Sequence, residues 1–181
     1  MRLTPRLNRK ITLLWTLLFL SVTASSLEAK TVEKEIYGRY ETMSIVDFNG
    51  VNVSAKMDTG ALTASLHAEN IEFFTKNNDD WVRFTTRINE MELGPYEFPL
   101  HKVSRVKRRQ EEKSPSKVKS AKRPVILLTL CLGNQQKEVE VNLANRSNLN
   151  YPLLIGSKAL RSFKAIVDVS EKYTHPLQCN E

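Results

Sequence analysis

The sequence predicts an all-β domain, a closed or nearly closed barrel with one short helix near its C-terminus. Two observations predict it. From residue 36 to residue 168, short runs rich in Val, Ile, Leu, Thr and aromatic residues alternate with breaks bearing Gly, Asn or Asp, the pattern of strands and turns. Only "SKALRSF" has the composition of a helix, and it is long enough for one or two turns. Many short strands with a lone helix bury their apolar faces most readily by closing on themselves.

Each element follows in order. "YGRYETMSIVDFNG" mixes aromatic, β-branched and polar residues and ends in Asn49-Gly50, a strong hairpin signal because both residues tolerate positive φ. "VNVSAKMD" alternates Val51, Val53, Ala55 and Met57, a half-buried strand that runs straight into Asp58. "ASLHAENIEFF" and "DDWVRFTTRI" are expected to be two further strands, with the polar "TKNNDD" as their turn. "YEFPLHKVSRV" reads as another extended stretch. "PVILLTLCLG" and "KEVEVNLA" form a hairpin across a glycine and "NQQ", "YPLLIG" is a short buried strand, and "AIVDV" closes the domain as a strand. No internal repeat is visible.

The first 29 residues stand apart. "MRLTPRLNRK" carries four cationic side chains, and the fourteen uncharged residues "ITLLWTLLFLSVTA" follow it. A basic start, an apolar run and small residues at a cut site make a secretory leader, with cleavage expected after Ala24 or Ala29. The apolar run is short for a bilayer span of about 20 residues, although retention as an N-terminal anchor stays open. The domain then covers residues 30–181, and the expected location is periplasmic or envelope-associated. Export would permit a disulfide between the two cysteines, Cys131 and Cys179; a buried thiol and a terminal thiol are the equal alternative.

Charge is concentrated. Of a net +7, residues 102–123 hold +8 and the leader +3, which leaves the rest of the chain at −4. The segment "RRQEEKSPSKVKSAKR" is nearly free of apolar residues, so residues 105–122 are expected to be a mobile loop. Such a loop could also touch an acidic substrate or an anionic envelope surface. It lacks the interleaved aromatics on which bases stack, so nucleic acid is not an expected partner.

Two motifs occupy informative positions. Asp58-Thr59-Gly60-Ala61 ends a strand, and Leu153-Leu154-Ile155-Gly156 precedes the short helix about a hundred residues later. A carboxylate at a strand end is costly unless donors hold it. Gly60 would let the chain turn and present backbone N–H groups to Asp58, and Thr59 could brace the turn with its hydroxyl. Gly156 would let the apolar strand pack closely behind.

In these motifs the chain resembles the retropepsin-like aspartic proteases. More closely, it resembles a bacterial family labelled ATP-dependent zinc proteases, through Lys56, Asp58 to Ala61, Thr63, Leu66-His67-Ala68, Arg123-Pro124-Val125, Arg146-Ser147, Tyr151-Pro152, Leu153 to Gly156, Leu160 and Val167-Asp168. Ser157 departs from the Arg usual at that position, and the basic segment is longer than usual. The resemblance implies a retropepsin-like acid-protease barrel acting on a peptide or protein substrate. Asp58, Thr59 and Gly60 would form the catalytic triplet, supported by Ala61, Leu154, Ile155 and Gly156. One such aspartate per chain implies a homodimer, because two close carboxylates must share a proton. No cofactor is implied by that chemistry.

Relatives are linked to ATP-grasp ligases that add glutamate tails to proteins, which would explain an acidic substrate; that setting is cytoplasmic, and an exported chain would need another partner. The zinc and ATP of the family label find no support in the residues. His67, His101 and His175 are widely spaced without an H-E-x-x-H pattern, and no GxxxxGK[ST] loop is present. A non-catalytic peptide-binding or signalling module on the same barrel, and a zinc-dependent peptidase, are the alternative readings.

Overall fold

A computed structural model describes residues 33–107 and 120–179. The expected leader, residues 1–29, and residues 108–119 of the basic segment lie outside these residues. Six strands close a barrel in the order β10-β4-β11-β3-β2-β9, with β9 returning to β10. They are β2 (Tyr40–Ile45), β3 (Val51–Asp58), β4 (Ala64–His67), β9 (Ser120–Leu132), β10 (Gln135–Ala144) and β11 (Leu153–Gly156). The alternation read from the sequence lines this barrel. Val53, Ala55 and Met57 of β3 point inward with Met43 and Ile45 of β2 and Leu128, Leu130 and Leu132 of β9, all essentially buried.

Three strands make a separate antiparallel meander: β5 (Glu69–Lys76), β6 (Asp79–Ile88) and β7 (Met91–Pro99). Phe48 joins it to the barrel. A 3-10 turn over Val46–Phe48 places that ring flat on Tyr96, centroids 3.9 Å apart, with Phe84 and Phe98 tilted around it. Asn49 at φ 56° and Gly50 at φ 73° then reverse the chain into β3, as the Asn-Gly pair requires. The helix α1 (Ser157–Ser162) follows β11, and β12 (Ala165–Asp168) pairs in parallel with β1 (Glu35–Gly38).

Three expectations need correction. "ASLHAENIEFF" is two strands in two different sheets. Residues 64–68 are all buried, so period-2 alternation stops there, and Asn70 takes φ 52° at a register shift in the β5–β6 pairing. "YEFPLHKVSRV" likewise divides, at Leu100 and His101, between β7 and β8 (Lys102–Lys107). The basic segment is not loop from 105 to 122. Its two flanks pair, Arg105 with Lys122 and Lys107 with Ser120, on the outer side of the barrel. Backbone ladder bonds need no apolar side chains, and β8 is an edge strand where lysine is common.

The C-terminal tail is strapped to the barrel. Glu41 is fully buried; its Oε1 accepts hydrogen bonds from the Gly38 N–H at 2.6 Å and from the Thr174 N–H and hydroxyl at 3.1 and 2.6 Å. The alternative left open for the cysteines resolves as a Cys131–Cys179 disulfide across 48 residues. Cross-linking a loop of that size removes unfolded-state entropy worth up to about 4 kcal/mol. Cys179→Ser is therefore expected to lower the urea midpoint by a corresponding amount. A midpoint unchanged from that of the oxidised wild type would show that the tail adds nothing to stability.

Candidate active site

The site begins with the pleat of β3. Inward residues alternate with outward ones, so Asp58 falls on the half-exposed face with Lys56, while Met57 enters the core. The carboxylate is thus spared full burial, its side chain being 29% exposed. Backbone donors then hold one oxygen. Asp58 Oδ1 accepts from the N–H of Gly60 at 3.0 Å and from the N–H of Ala61 at 3.2 Å. Oδ2 faces Lys56 Nζ at 3.8 Å.

β11 lies parallel against β3, with Leu154 opposite Lys56, Ile155 opposite Met57 and Gly156 opposite Asp58. Ile155 is buried in the core, and Leu154 stays half-buried on the Asp58 face. The turn after Asp58 crosses over Gly156. Ser157 N–H donates to the Ala61 carbonyl at 2.7 Å and Lys158 N–H to the Leu62 carbonyl at 3.1 Å. A Cβ at position 156 would lie 2.7 Å from the Thr63 carbonyl carbon and oxygen. The two motifs, distant in sequence, therefore form one interlocked unit.

Gly60 presents its N–H to Asp58 as expected, on ordinary backbone where a Cβ would meet only Asp58 Oδ1 at 3.4 Å. One local expectation turns out differently. The Thr59 side chain is exposed and makes no hydrogen bond among the described residues. The turn is braced by the Asp58 carboxylate and by the Ala61 N–H to Asp58 carbonyl bond of 3.3 Å.

Behind this unit lies a polar layer in which sequence reasoning assigned no roles. Asn142 Nδ2 donates to the Ala64 carbonyl at 2.7 Å, and its Oδ1 accepts from the Ser65 hydroxyl at 3.0 Å and from Arg123 Nη1 at 3.4 Å. His67 is buried, and that burial pushes its imidazole below the ordinary histidine range. The neutral ring fits its contacts, because Nδ1 accepts from the Arg146 N–H at 2.9 Å and Nε2 lies 3.6 Å from Glu69 Oε1. The Arg146 guanidinium is near enough to feel the charges of both Asp58 and Arg123. Its Nε donates to the Tyr151 carbonyl at 3.2 Å, and the Tyr151 ring stacks on Tyr40. Arg123 and Arg146 both stand in the quoted motifs, and that was the available signal; nothing in their spacing says that they converge.

The histidines do not converge. His101 lies 3.5 Å from Glu140, and His175 lies 3.5 Å from Glu35 with its ring on Tyr37. Among the described residues, no three His, Cys, Asp or Glu side chains come together to hold a metal ion, so the zinc of the family label does not fit the donors there.

A family model described as RimB-like, "retropepsin-like aspartic endopeptidase RimB", matches residues 36–178. A probable alpha-L-glutamate ligase of Shewanella pealeana is 38% identical over 125 residues, which cover 67% of this chain and 25% of that protein. One from Desulfotalea psychrophila is 29% identical over 143 residues, covering 77% of this chain and 29% of that protein. The chain thus spans about a quarter of the length of the first of these curated relatives. A crystal structure of a Legionella pneumophila protein of unknown function superposes with a TM-score of 0.64 at 36% identity, covering 78% of this chain and 98% of that one.

Proposed function

Because the chain belongs to the RimB-like family of retropepsin-like aspartic endopeptidases, we propose that it hydrolyses peptide bonds with Asp58 from each of two copies. The observation that carries this is the Asp58 carboxylate itself. One oxygen is fixed by two backbone N–H groups and the other is left outward, at a turn locked over Gly156. In the dyad one Asp58 is ionised and its mate protonated. The ionised carboxylate takes a proton from a water molecule as the water oxygen attacks the scissile carbonyl carbon. The protonated one gives its proton to the carbonyl oxygen. The tetrahedral diol then breaks its C–N bond: the Asp58 that took the water proton gives it to the departing nitrogen, the other Asp58 takes a hydroxyl proton from the diol, and the carboxylic acid and amine leave a dyad again holding one proton.

The second copy is supported by the exposure of this turn, where Thr59 and Gly60 are exposed and Leu62 is 61% exposed. The secretory leader and the Cys131–Cys179 disulfide support an exported enzyme. The substrate we propose is a glutamate-rich peptide or protein, supported by the glutamate ligases that carry a segment like this chain.

Assembly is the testable core of this reading. Specific activity is expected to fall on dilution, and excess Asp58→Asn protein mixed with wild type should suppress activity beyond simple dilution. Full, concentration-independent activity from a strict monomer would refute the shared dyad.

A further inference from the structure

The tail beyond β12 is held in a way that its own burial does not explain. No residue from 169 to 179 is buried, and Val169 and Tyr173 are 72% and 48% exposed. A segment with so little buried apolar surface opens easily unless something else ties it down. The covalent tie is the Cys131–Cys179 disulfide at its far end. Polar contacts assist it, from Thr174 to Glu41 and from the Gln178 N–H to the Gly133 carbonyl at 2.8 Å. Between its ends the tail is seated closely: a Cβ on Gly38 would lie 2.6 Å from Lys172 Cα, and the His175 ring rests on Tyr37.

The tail is seated against the strands that deliver Asp58. Arg39 N–H donates to the Glu171 carbonyl at 2.8 Å, and Tyr173 N–H donates to the Tyr40 carbonyl at 2.7 Å. The same two residues are bonded to β3. The Arg39 carbonyl accepts the Met57 N–H at 3.0 Å, and Tyr40 is the register partner of Lys56. Residues 39 and 40 thus link the tail to the two residues that precede Asp58. The disulfide is also reachable. Cys131 is fully buried, whereas Cys179 is partly exposed and lines a cavity of about 460 Å³ with Val46, Asn49 and Leu177. An incoming thiolate therefore meets Cys179 Sγ.

We propose that this disulfide is a redox-operated strap that sets how firmly Asp58 is held. A thiolate of a dithiol reductant attacks Cys179 Sγ. A mixed disulfide forms as the Cys131–Cys179 bond breaks, and Cys131 leaves as a thiolate. The reductant's second thiolate then closes the reductant's own disulfide and releases Cys179. Each departing cysteine takes up a proton given up by the reductant, and two electrons pass to the strap. The polar contacts that remain face water and open easily, so residues 39 and 40 lose the tail and the Asp58 turn is less firmly positioned. A disulfide oxidant runs the exchange backward. The chain is braced for chemistry in an oxidising compartment and slack in a reducing one. The effect on activity rests on the peptidase reading; the effect on the strands does not.

The test takes the full chain through buffers of graded reduced-to-oxidised dithiothreitol. Free thiols are scored by alkylation, the fold by circular dichroism, and amide exchange by mass spectrometry. Reduction is expected to speed exchange about fivefold or more at Tyr173, Thr174 and Gln178 and also at Arg39 and Met57. It should lower kcat/KM for peptide hydrolysis by a similar factor, with the dichroism of the barrel unchanged. Reoxidation should restore both. Cys179→Ser should behave as the reduced protein at every buffer ratio, and the wild-type titration carries the test if that variant does not fold. Faster exchange confined to residues 169–179, or none at all, would overturn the strap. So would loss of the barrel's dichroism on reduction, which would make the disulfide a general fastening. The two readings separate. A chain that hydrolyses nothing in either state, while exchange at Arg39 and Met57 follows the thiols, keeps the strap and sinks the peptidase. Hydrolysis at one rate in both states keeps the peptidase and sinks the strap.

Discussion

Asp58→Asn is expected to abolish peptide hydrolysis while leaving the fold intact. The asparagine carbonyl can keep the Oδ1 position and accept the same N–H groups of Gly60 and Ala61. What is lost is the Oδ2 ionisation that would take a proton from water. The neighbouring Lys56 is 3.8 Å away and largely exposed, and a pair of that kind adds little to stability. The thermal midpoint should therefore stay near wild type while turnover falls by about 10³-fold or more. Turnover equal to wild type in a folded Asp58→Asn protein would falsify the aspartic mechanism. In the proposed two-copy dyad, the homogeneous variant carries no ionisable carboxylate at either position and no partner can rescue it.

Gly156→Ala is expected to be the most damaging single methyl group that can be added near the site. Its Cβ would lie 2.7 Å from the carbonyl carbon and oxygen of Thr63 and 2.9 Å from the Leu62 carbonyl carbon. All three are backbone atoms, which cannot swing aside as a side chain would. Relief requires β11 to move away from the turn. That movement strains the Ser157 and Lys158 N–H bonds to the Ala61 and Leu62 carbonyls. A loss of about 3 kcal/mol is expected from overpacking of this kind, and activity should fall further, since the displaced turn carries Asp58. Gly60→Ala is the control. Its Cβ would be 3.4 Å from Asp58 Oδ1 on ordinary backbone, so within one chain its effect should stay near 0.5 kcal/mol. Equal denaturation midpoints for Gly156→Ala and wild type would show that the interlock is looser than the geometry states.

Features written locally in the backbone are legible before any fold is known. The alternation of Val53, Ala55 and Met57 sets one face of β3 against the core and so places Asp58 on the other. Asn49-Gly50 reverses the chain with the positive φ values those residues tolerate. The DTG and LLIG motifs are short enough to be recognised without knowing that they touch. Tertiary structure decided which distant groups meet, because strand pairing is chosen by the summed burial of whole faces and leaves little trace in a ten-residue window. The break after Ala68 is one such case. Residues 64–68 are buried throughout, and the chain changes sheets where period-2 alternation stops. The pairing of the basic flanks is another, since their ladder bonds run through peptide groups common to every residue. Glu41 and Arg146 are the sharpest cases. Each reads as an ordinary surface charge in sequence, and each is buried because other elements close over it. For Glu41 those elements bring the Gly38 and Thr174 donors. For Arg146 they bring the Tyr151 carbonyl, His67 and the neighbouring charges of Arg123 and Asp58, and a charge desolvated among partners from distant segments is a property that only the assembled fold can create.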